Sequence, residues 1–285
     1  MSGSDVFRLP DGRRLSFAEY GDPKGAPALF CHGAPGSRWQ VHDGMAGAAA
    51  RLGMRIVAPE RPGYGLSDPH PERSFLDWPQ DVSILMDMLG IGRFGVIGYS
   101  MGGIYALACG YALAHRVNNI ALAGCLAPNL FLPEVTAQMP PAVTQTFELA
   151  REHPQALRDS LQTLTPEQLF AALSDPLPLP DKAALAQAAV RAGFVKDCEA
   201  ALCSGARGIV EDFVLAGKDW NFSIEDVRNH TWLWHGEGDA NTPPLMAEYL
   251  LSHLPNCHSR PLPEAGHLAI FSHWEDMLET IKDMQ

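Results

Sequence analysis

The segment Arg93-Phe94-Gly95-Val96-Ile97-Gly98-Tyr99-Ser100-Met101-Gly102-Gly103-Ile104 runs from one apolar element straight into another. Residues 93–99 are short, apolar and rich in small side chains, and read as a buried strand. Residues 101–114 are apolar nearly all round, and read as a buried helix. Between them Gly98-Tyr99-Ser100-Met101-Gly102 has the form Gly-x-Ser-x-Gly. That pattern says little in isolation, but a strand-to-helix junction is where its chemistry needs it. Small flanking residues permit a sharp turn that leaves the serine hydroxyl exposed at the edge of a sheet. The N-terminus of the following helix then favours negative charge developing nearby.

Working outward, the same rhythm repeats. Residues 27–31, 54–58 and 117–125 read as further buried strands, and residues 41–52 form a helix-compatible stretch. Phe75, Val82, Leu85, Met86 and Leu89 recur at helical spacing before Gly90. Strands alternating with helices in this way specify an α/β protein with a buried, mostly parallel sheet. Ahead of them, residues 5–9 and 14–20 flank Pro10-Asp11-Gly12-Arg13, the signature of a β-hairpin. The rhythm stops at residue 126. Residues 126–220 show helical patterns broken by prolines, and strand patterns return only at 231–235 and 257–261. A helix near 245–254 separates these two, and a last helix ends near Met284. The expected organisation is a core of residues 1–125 and 221–285 flanked by helices, with residues 126–220 inserted as a helical cap. The proline-dense linker 175–181 is the expected hinge of that lid.

Composition excludes several classes. The chain has 285 residues, 46% hydrophobic and 19% charged, enough for a large core and unlike disordered or disulfide-stapled chains. Its net charge of −12, with no Lys/Arg cluster, argues against a nucleic-acid partner. No run of about 18 apolar residues offers a membrane span, and residues 1–15 contain no signal-peptide core. The six cysteines lack Cys-x-x-Cys spacing and read as reduced, buried thiols of a cytoplasmic protein. Cys198 and Cys203 have no nearby histidine pair, so no metal is expected. Gly90-x-Gly92-x-x-Gly95 imitates a dinucleotide fingerprint but precedes a strand instead of following one. No P-loop occurs, and no cofactor is expected.

Four motifs in this order resemble the α/β-hydrolase superfamily over essentially the whole chain. His32-Gly33-Ala34-Pro35-Gly36-Ser37 resembles the oxyanion loop, and Arg61-Pro62-Gly63-Tyr64-Gly65 the turn after the next strand. The serine turn is third. Gly236-Glu237-Gly238-Asp239 and Gly266-His267 complete the serine, acid, histidine order of that fold. The resemblance implies Ser100 as nucleophile, His267 as the base that activates it, and Asp239 as the group orienting the imidazole. It implies an oxyanion hole from the N–H groups of Ala34 and Met101; Pro35 has no N–H to offer. Glu237 and Glu264 are alternative acids, and His32 is expected to order its loop. Trp39, Tyr99, Met101, Leu130, Phe131, Phe213 and Phe222 are the expected pocket lining.

These readings imply a serine carboxylesterase acting on a small uncharged ester, its oligomeric state open. Two alternatives stand beside it. A proline-iminopeptidase-like aminopeptidase would use Glu211 or Asp212 to bind a substrate ammonium. A hydrolase-fold receptor would keep the triad without turnover, since fold does not fix function.

Overall fold

The computed structural model describes residues 3–283. Eight strands, β1 (Gly3–Arg8), β2 (Arg14–Gly21), β3 (Ala26–Cys31), β4 (Met54–Pro59), β5 (Phe94–Tyr99), β6 (Val117–Ala123), β7 (His230–Gly236) and β8 (Cys257–Leu262), form one sheet. Their order is β1-β2-β4-β3-β5-β6-β7-β8. β2 runs antiparallel to both its neighbours, and every other adjacent pair is parallel. β5 lies near the middle and is buried along its whole length. A strand covered on both faces has no solvent side to alternate toward, hence its unbroken apolar run.

Helices cover both faces. α1 (Asp43–Arg51) packs on one face, and α2 (Trp78–Met88) and α3 (Gly102–Ala112) on the other. Between β6 and β7 stand seven helices and no strand among the described residues. They are α4 (Pro133–Thr136), α5 (Pro141–Glu152), α6 (Pro154–Leu161), α7 (Pro166–Ser174), α8 (Leu179–Leu185), α9 (Ala188–Leu202) and α10 (Arg207–Ala216). α11 (Pro244–His253), α12 (Ala269–Ser272) and α13 (Trp274–Asp283) complete the chain. Pro133, Pro141, Pro154 and Pro166 sit in first helical turns, where a missing N–H breaks no bond. They start helices instead of only interrupting them.

Two sequence expectations need correction. Cys203 is exposed and Cys257 half-buried, although all six thiols are free. Cys203 ends α9 at the surface, and Cys257 lies on the edge strand β8, which has one neighbour only. The linker 175–181 is not irregular throughout either: residues 179–181 open α8, Leu177 enters the core and Asp181 is 1% exposed, while Asp175, Pro176 and Leu179 are exposed. Met284 lies outside the described residues.

Close backbone approach explains the glycines of the serine turn. A Cβ on Gly102 would sit 2.1 Å from the Cys31 carbonyl oxygen, so only glycine lets α3 start against the end of β3. Gly102→Ala is therefore expected to destabilise the protein by about 2 kcal/mol or more. Gly92→Ala, with open space around its Cβ, should stay within about 0.5 kcal/mol of wild type. Urea denaturation midpoints of both variants check this; equal losses would contradict it.

Candidate active site

Ser100 sits at the junction of β5 and α3 with φ of +54°, a left-handed backbone rare for a residue with a side chain. Its N–H is held by the Ala123 carbonyl at 2.9 Å, and its own carbonyl accepts from Gly103 N–H at 2.9 Å. These bonds fix the turn and lift the hydroxyl off the sheet. The Ser100 Oγ lies 3.0 Å from Nε2 of His267, in the loop between β8 and α12. Nδ1 of His267 lies 2.9 Å from Oδ2 of Asp239, in the loop after β7. The structure thus brings together three residues spread over 168 positions of sequence into one hydrogen-bonded line.

Asp239 is fully engaged. Its Oδ1 accepts the N–H groups of Asn241 and Thr242, both at 2.9 Å, and its Oδ2 accepts the Thr242 hydroxyl at 2.6 Å. Burial by itself would raise this carboxyl's pKa. The charge and hydrogen bond of His267, with His235 and Thr242, reverse that and hold it below the usual carboxylate range. Burial likewise would lower the His267 pKa, but Asp239, and then Asp181, raise it above the ordinary imidazole value. Gly124 leaves the space: a Cβ there would lie 2.9 Å from Asp239 Oδ2. Glu237 and Glu264 take no part in this line.

The loop after β3 is held from two sides. Gly33 N–H donates to Gln40 Oε1 at 2.7 Å, and the carbonyls of His32 and Gly33 accept from the Arg61 guanidinium. His32 accepts the Arg61 N–H at Nε2 and bonds the Gly33 carbonyl through Nδ1, so it is neutral with its proton on Nδ1. Burial, and then the Arg61 charge, keep its pKa well below the usual value. His32 therefore orders the loop, as expected. Ala34 and Met101 line the same cavity as Ser100. Among the described residues, the N–H groups of both are without a hydrogen-bond partner.

That cavity measures about 230 Å³ and is walled by Leu126, Val143, Phe147, Leu164, Leu173, Ile209 and Phe213, with Ser100 and His267 at its floor. No Asp, Glu, Lys or Arg lines it. A larger groove of about 610 Å³ runs behind the His267 loop against α8, away from Ser100. Of the expected lining, Met101 and Phe213 are present. Trp39, Tyr99, Leu130, Phe131 and Phe222 are not. Tyr99 is buried with its ring 5.2 Å from that of His267, and Trp39 lies under the Lys196 ammonium. Phe131 forms a second layer against Phe147, Leu130 is in the core, and Phe222 packs on Tyr111 and Trp220. Proximity in sequence to the serine or to the insertion says nothing about which way a ring points.

Three carboxylates of the insertion reach into the core. Asp212 on α10 is fully buried; its oxygens accept from Arg61, Arg73, Tyr64 and Tyr105. Burial would raise its pKa, but the Arg61 and Arg73 charges hold it far below the usual range. Glu211 pairs with Arg207 at 2.7 Å. Asp212 has no oxygen left for an ammonium, whereas Oε2 of Glu211 is buried without a hydrogen-bond partner, 3.6 Å from Nε of Arg73. Asp197 on α9 accepts from Ser37 at 2.6 Å and from Gln40 at 2.9 Å, and burial pushes its carboxyl up to about 7. Asp181 on α8 accepts the backbone N–H groups of His267 and Leu268. Sequence reasoning missed Thr242, Gln40, Asp181 and Asp197. Only for Thr242 was there a signal: an aspartate followed by polar residues two and three positions on forms a local turn.

The sheet order and serine turn define a hydrolase-type α/β fold. The chain belongs to the alpha/beta hydrolase fold family, whose match spans residues 27–273. It is 28% identical over 233 residues to the pimeloyl-[acyl-carrier protein] methyl ester esterase of Aromatoleum aromaticum, covering 81% of this chain and 88% of that one. A proline iminopeptidase of Neisseria gonorrhoeae is 29% identical over 131 residues, 42% of this chain and 39% of its own. Among solved structures, a hydrolase from Pseudomonas aeruginosa superposes with a TM-score of 0.75 at 19% identity, covering 98% of both chains.

Asp212→Asn should strand two buried guanidinium groups. The expected loss is about 3–5 kcal/mol of stability, measured by denaturation. A loss under about 1 kcal/mol would show that the cluster is not held by this carboxylate.

Proposed function

We propose that this chain is a serine hydrolase that cleaves a small, uncharged carboxylic ester through an acyl-enzyme on Ser100. The observation carrying this reading is the line Ser100–His267–Asp239, at 3.0 and 2.9 Å, opening on an uncharged apolar cavity. Ser100 Oγ attacks the acyl carbon while its proton passes to His267 Nε2. Asp239 keeps the other imidazole proton on Nδ1 and stabilises the imidazolium. The oxyanion forms against the N–H groups of Ala34 and Met101. Collapse breaks the ester C–O bond, and His267 returns its proton to the leaving alcohol oxygen. Water then repeats the sequence on the acyl-enzyme, releasing the acid and restoring Ser100. Every proton moves among these groups and the substrate, so the reading assigns no cofactor.

Cavity size and lining narrow the substrate. A dry cavity of about 150 Å³ suffices for benzene, so about 230 Å³ accepts one ring or a short chain. Each buried methylene adds about 0.8 kcal/mol, roughly fourfold, until the wall is reached. The likeness to a methyl ester esterase supports ester over amide. The aminopeptidase reading loses Asp212, which is consumed by Arg61 and Arg73, and neither Asp212 nor Glu211 lines the cavity. Residues 126–220 then act as the cap that closes over the ester.

A fluorophosphonate probe should label wild type at Ser100 and leave Ser100→Ala unlabelled. Loss of labelling in wild type would favour a receptor that keeps the fold without turnover. Asp239→Asn should fold and lower kcat about 10⁴-fold, by the precedent of serine proteases, whereas Glu264→Gln should not. On p-nitrophenyl esters, kcat/KM should rise over the first few carbons and fall at long chains; a maximum at palmitate would reject this cavity. Because the base must be neutral and Asp239 and Asp181 raise its pKa, kcat/KM should fall on acidification with a midpoint higher than that of an ordinary imidazole.

A further inference from the structure

The loop carrying His267 is not held by the core alone. Asp181 of α8 presents its carboxylate edge-on to two consecutive backbone N–H groups. Oδ2 accepts from His267 at 2.9 Å and Oδ1 from Leu268 at 2.8 Å. Both oxygens accept and the group is 1% exposed; burial raises its carboxyl pKa, opposed by the two N–H groups and by His267. Hydrogen bonds to a buried charge are about twice as strong as neutral ones. The contact joins residues 86 and 87 positions apart, from the insertion to the base itself.

Gly266 shows how close the approach is. A Cβ there would meet Asp181 Cγ and both its carboxylate oxygens at 2.5 Å, and these are its three nearest atoms. Gly266 carries no left-handed φ, so its backbone would tolerate a side chain. The glycine before the histidine is there to admit the cap's carboxylate.

Resting on the triad reading above, we propose that Asp181 is a positioning residue for the base. By fixing the backbone on either side of the His267 Cα, it sets the reach of Nε2 to Ser100 only when α8 is docked. The imidazole is anchored at its far end by Asp239 and at its backbone by Asp181, which leaves little freedom for the ring. Release of α8 therefore loosens the base, so cap docking and catalytic competence are one event. The α5–α7 part of the insertion contributes the apolar Val143, Phe147, Leu164 and Leu173 to the cavity wall. Besides Asp181, the titratable groups facing His267 are Asp239 and His235 from the β7 end and Tyr99 from β5.

The test uses the rate of Ser100 phosphonylation by a fluorophosphonate across pH, which needs no knowledge of the substrate. Asp181→Asn should slow it about ten- to hundredfold. It should also move the acid limb to lower pH, because a negative charge beside the imidazole is gone. Gly266→Ala should reproduce the slowing in the wild-type background and add less than about twofold to Asp181→Ala, since the clash partner is then missing. Amide exchange in the wild type reads the tether without any substitution: the His267 and Leu268 N–H groups should be protected. Labelling of Asp181→Asn at the wild-type rate with an unmoved acid limb would overturn the proposal, as would equal effects of Gly266→Ala in both backgrounds or unprotected amides. No labelling of wild-type Ser100 would instead remove the reaction, and the positioning role with it.

Discussion

A serine held at φ +54° between a fully buried strand and a helix buried from Gly102 to Gly110 is the constraint from which the rest follows. Left-handed backbone costs about 1–2 kcal/mol for a residue with a Cβ. It persists only where surrounding structure over-determines it. Here the neighbours do so by contact. Ser100 N–H is tied to β6 through Ala123, and Gly102 lets α3 abut the last residues of β3. A Cβ on Gly98 would lie 2.7 Å from both Ala106 Cβ and the Gly103 backbone, so strand and helix touch with nothing between them. The apolar burial of β5 and α3 offsets the strain, and the strain in turn exposes the hydroxyl.

Around that turn the molecule places its acids unusually deep. A chain of net charge −12 would be expected to keep carboxylates in water. Asp181, Asp197 and Asp212 instead leave the insertion and end inside the core interface. Each meets a loop of the candidate site. Asp212 orients Arg61, which grips the His32 and Gly33 carbonyls; Asp197 orients Gln40, which grips the Gly33 N–H; Asp181 grips the His267 loop. Charges at that depth are tolerated because each oxygen has a donor. The insertion is thus part of the site's framework as much as its cover.

The cavity wall is made differently. Its apolar lining is aliphatic apart from Met101, Phe147 and Phe213; Thr146, Asn241 and Thr242 add polar groups, and the other conspicuous aromatics stand behind it or elsewhere. Phe131 packs edge-on to Phe147, and Tyr99 backs His267, so both support lining groups without touching the space themselves. Leucine, valine and alanine give a smooth surface without donors, which suits a neutral ligand held by shape and by the few polar atoms at the floor.

The amino-acid sequence by itself determined the strands, the helices on either side of them, the serine turn and the order of the motif residues. These are local properties, written in periods of two and 3.6 residues and in the glycines that sharp turns demand. His32 and His267 both follow strands, and they are told apart by the motif each stands in, His32-Gly33-Ala34-Pro35 against Gly266-His267, through the family resemblance. What only the tertiary structure decided was which distant atoms face one another. Asp181 and Asp197 sit in helices like many other acids, and nothing nearby in sequence marks them as buried. Their partners lie between 86 and 160 positions away. The same holds for the ring directions of Trp39, Tyr99 and Phe222. A side chain's neighbours across a packed interface depend on how whole elements dock. Docking is settled by the summed burial of many residues, which no short stretch of sequence encodes.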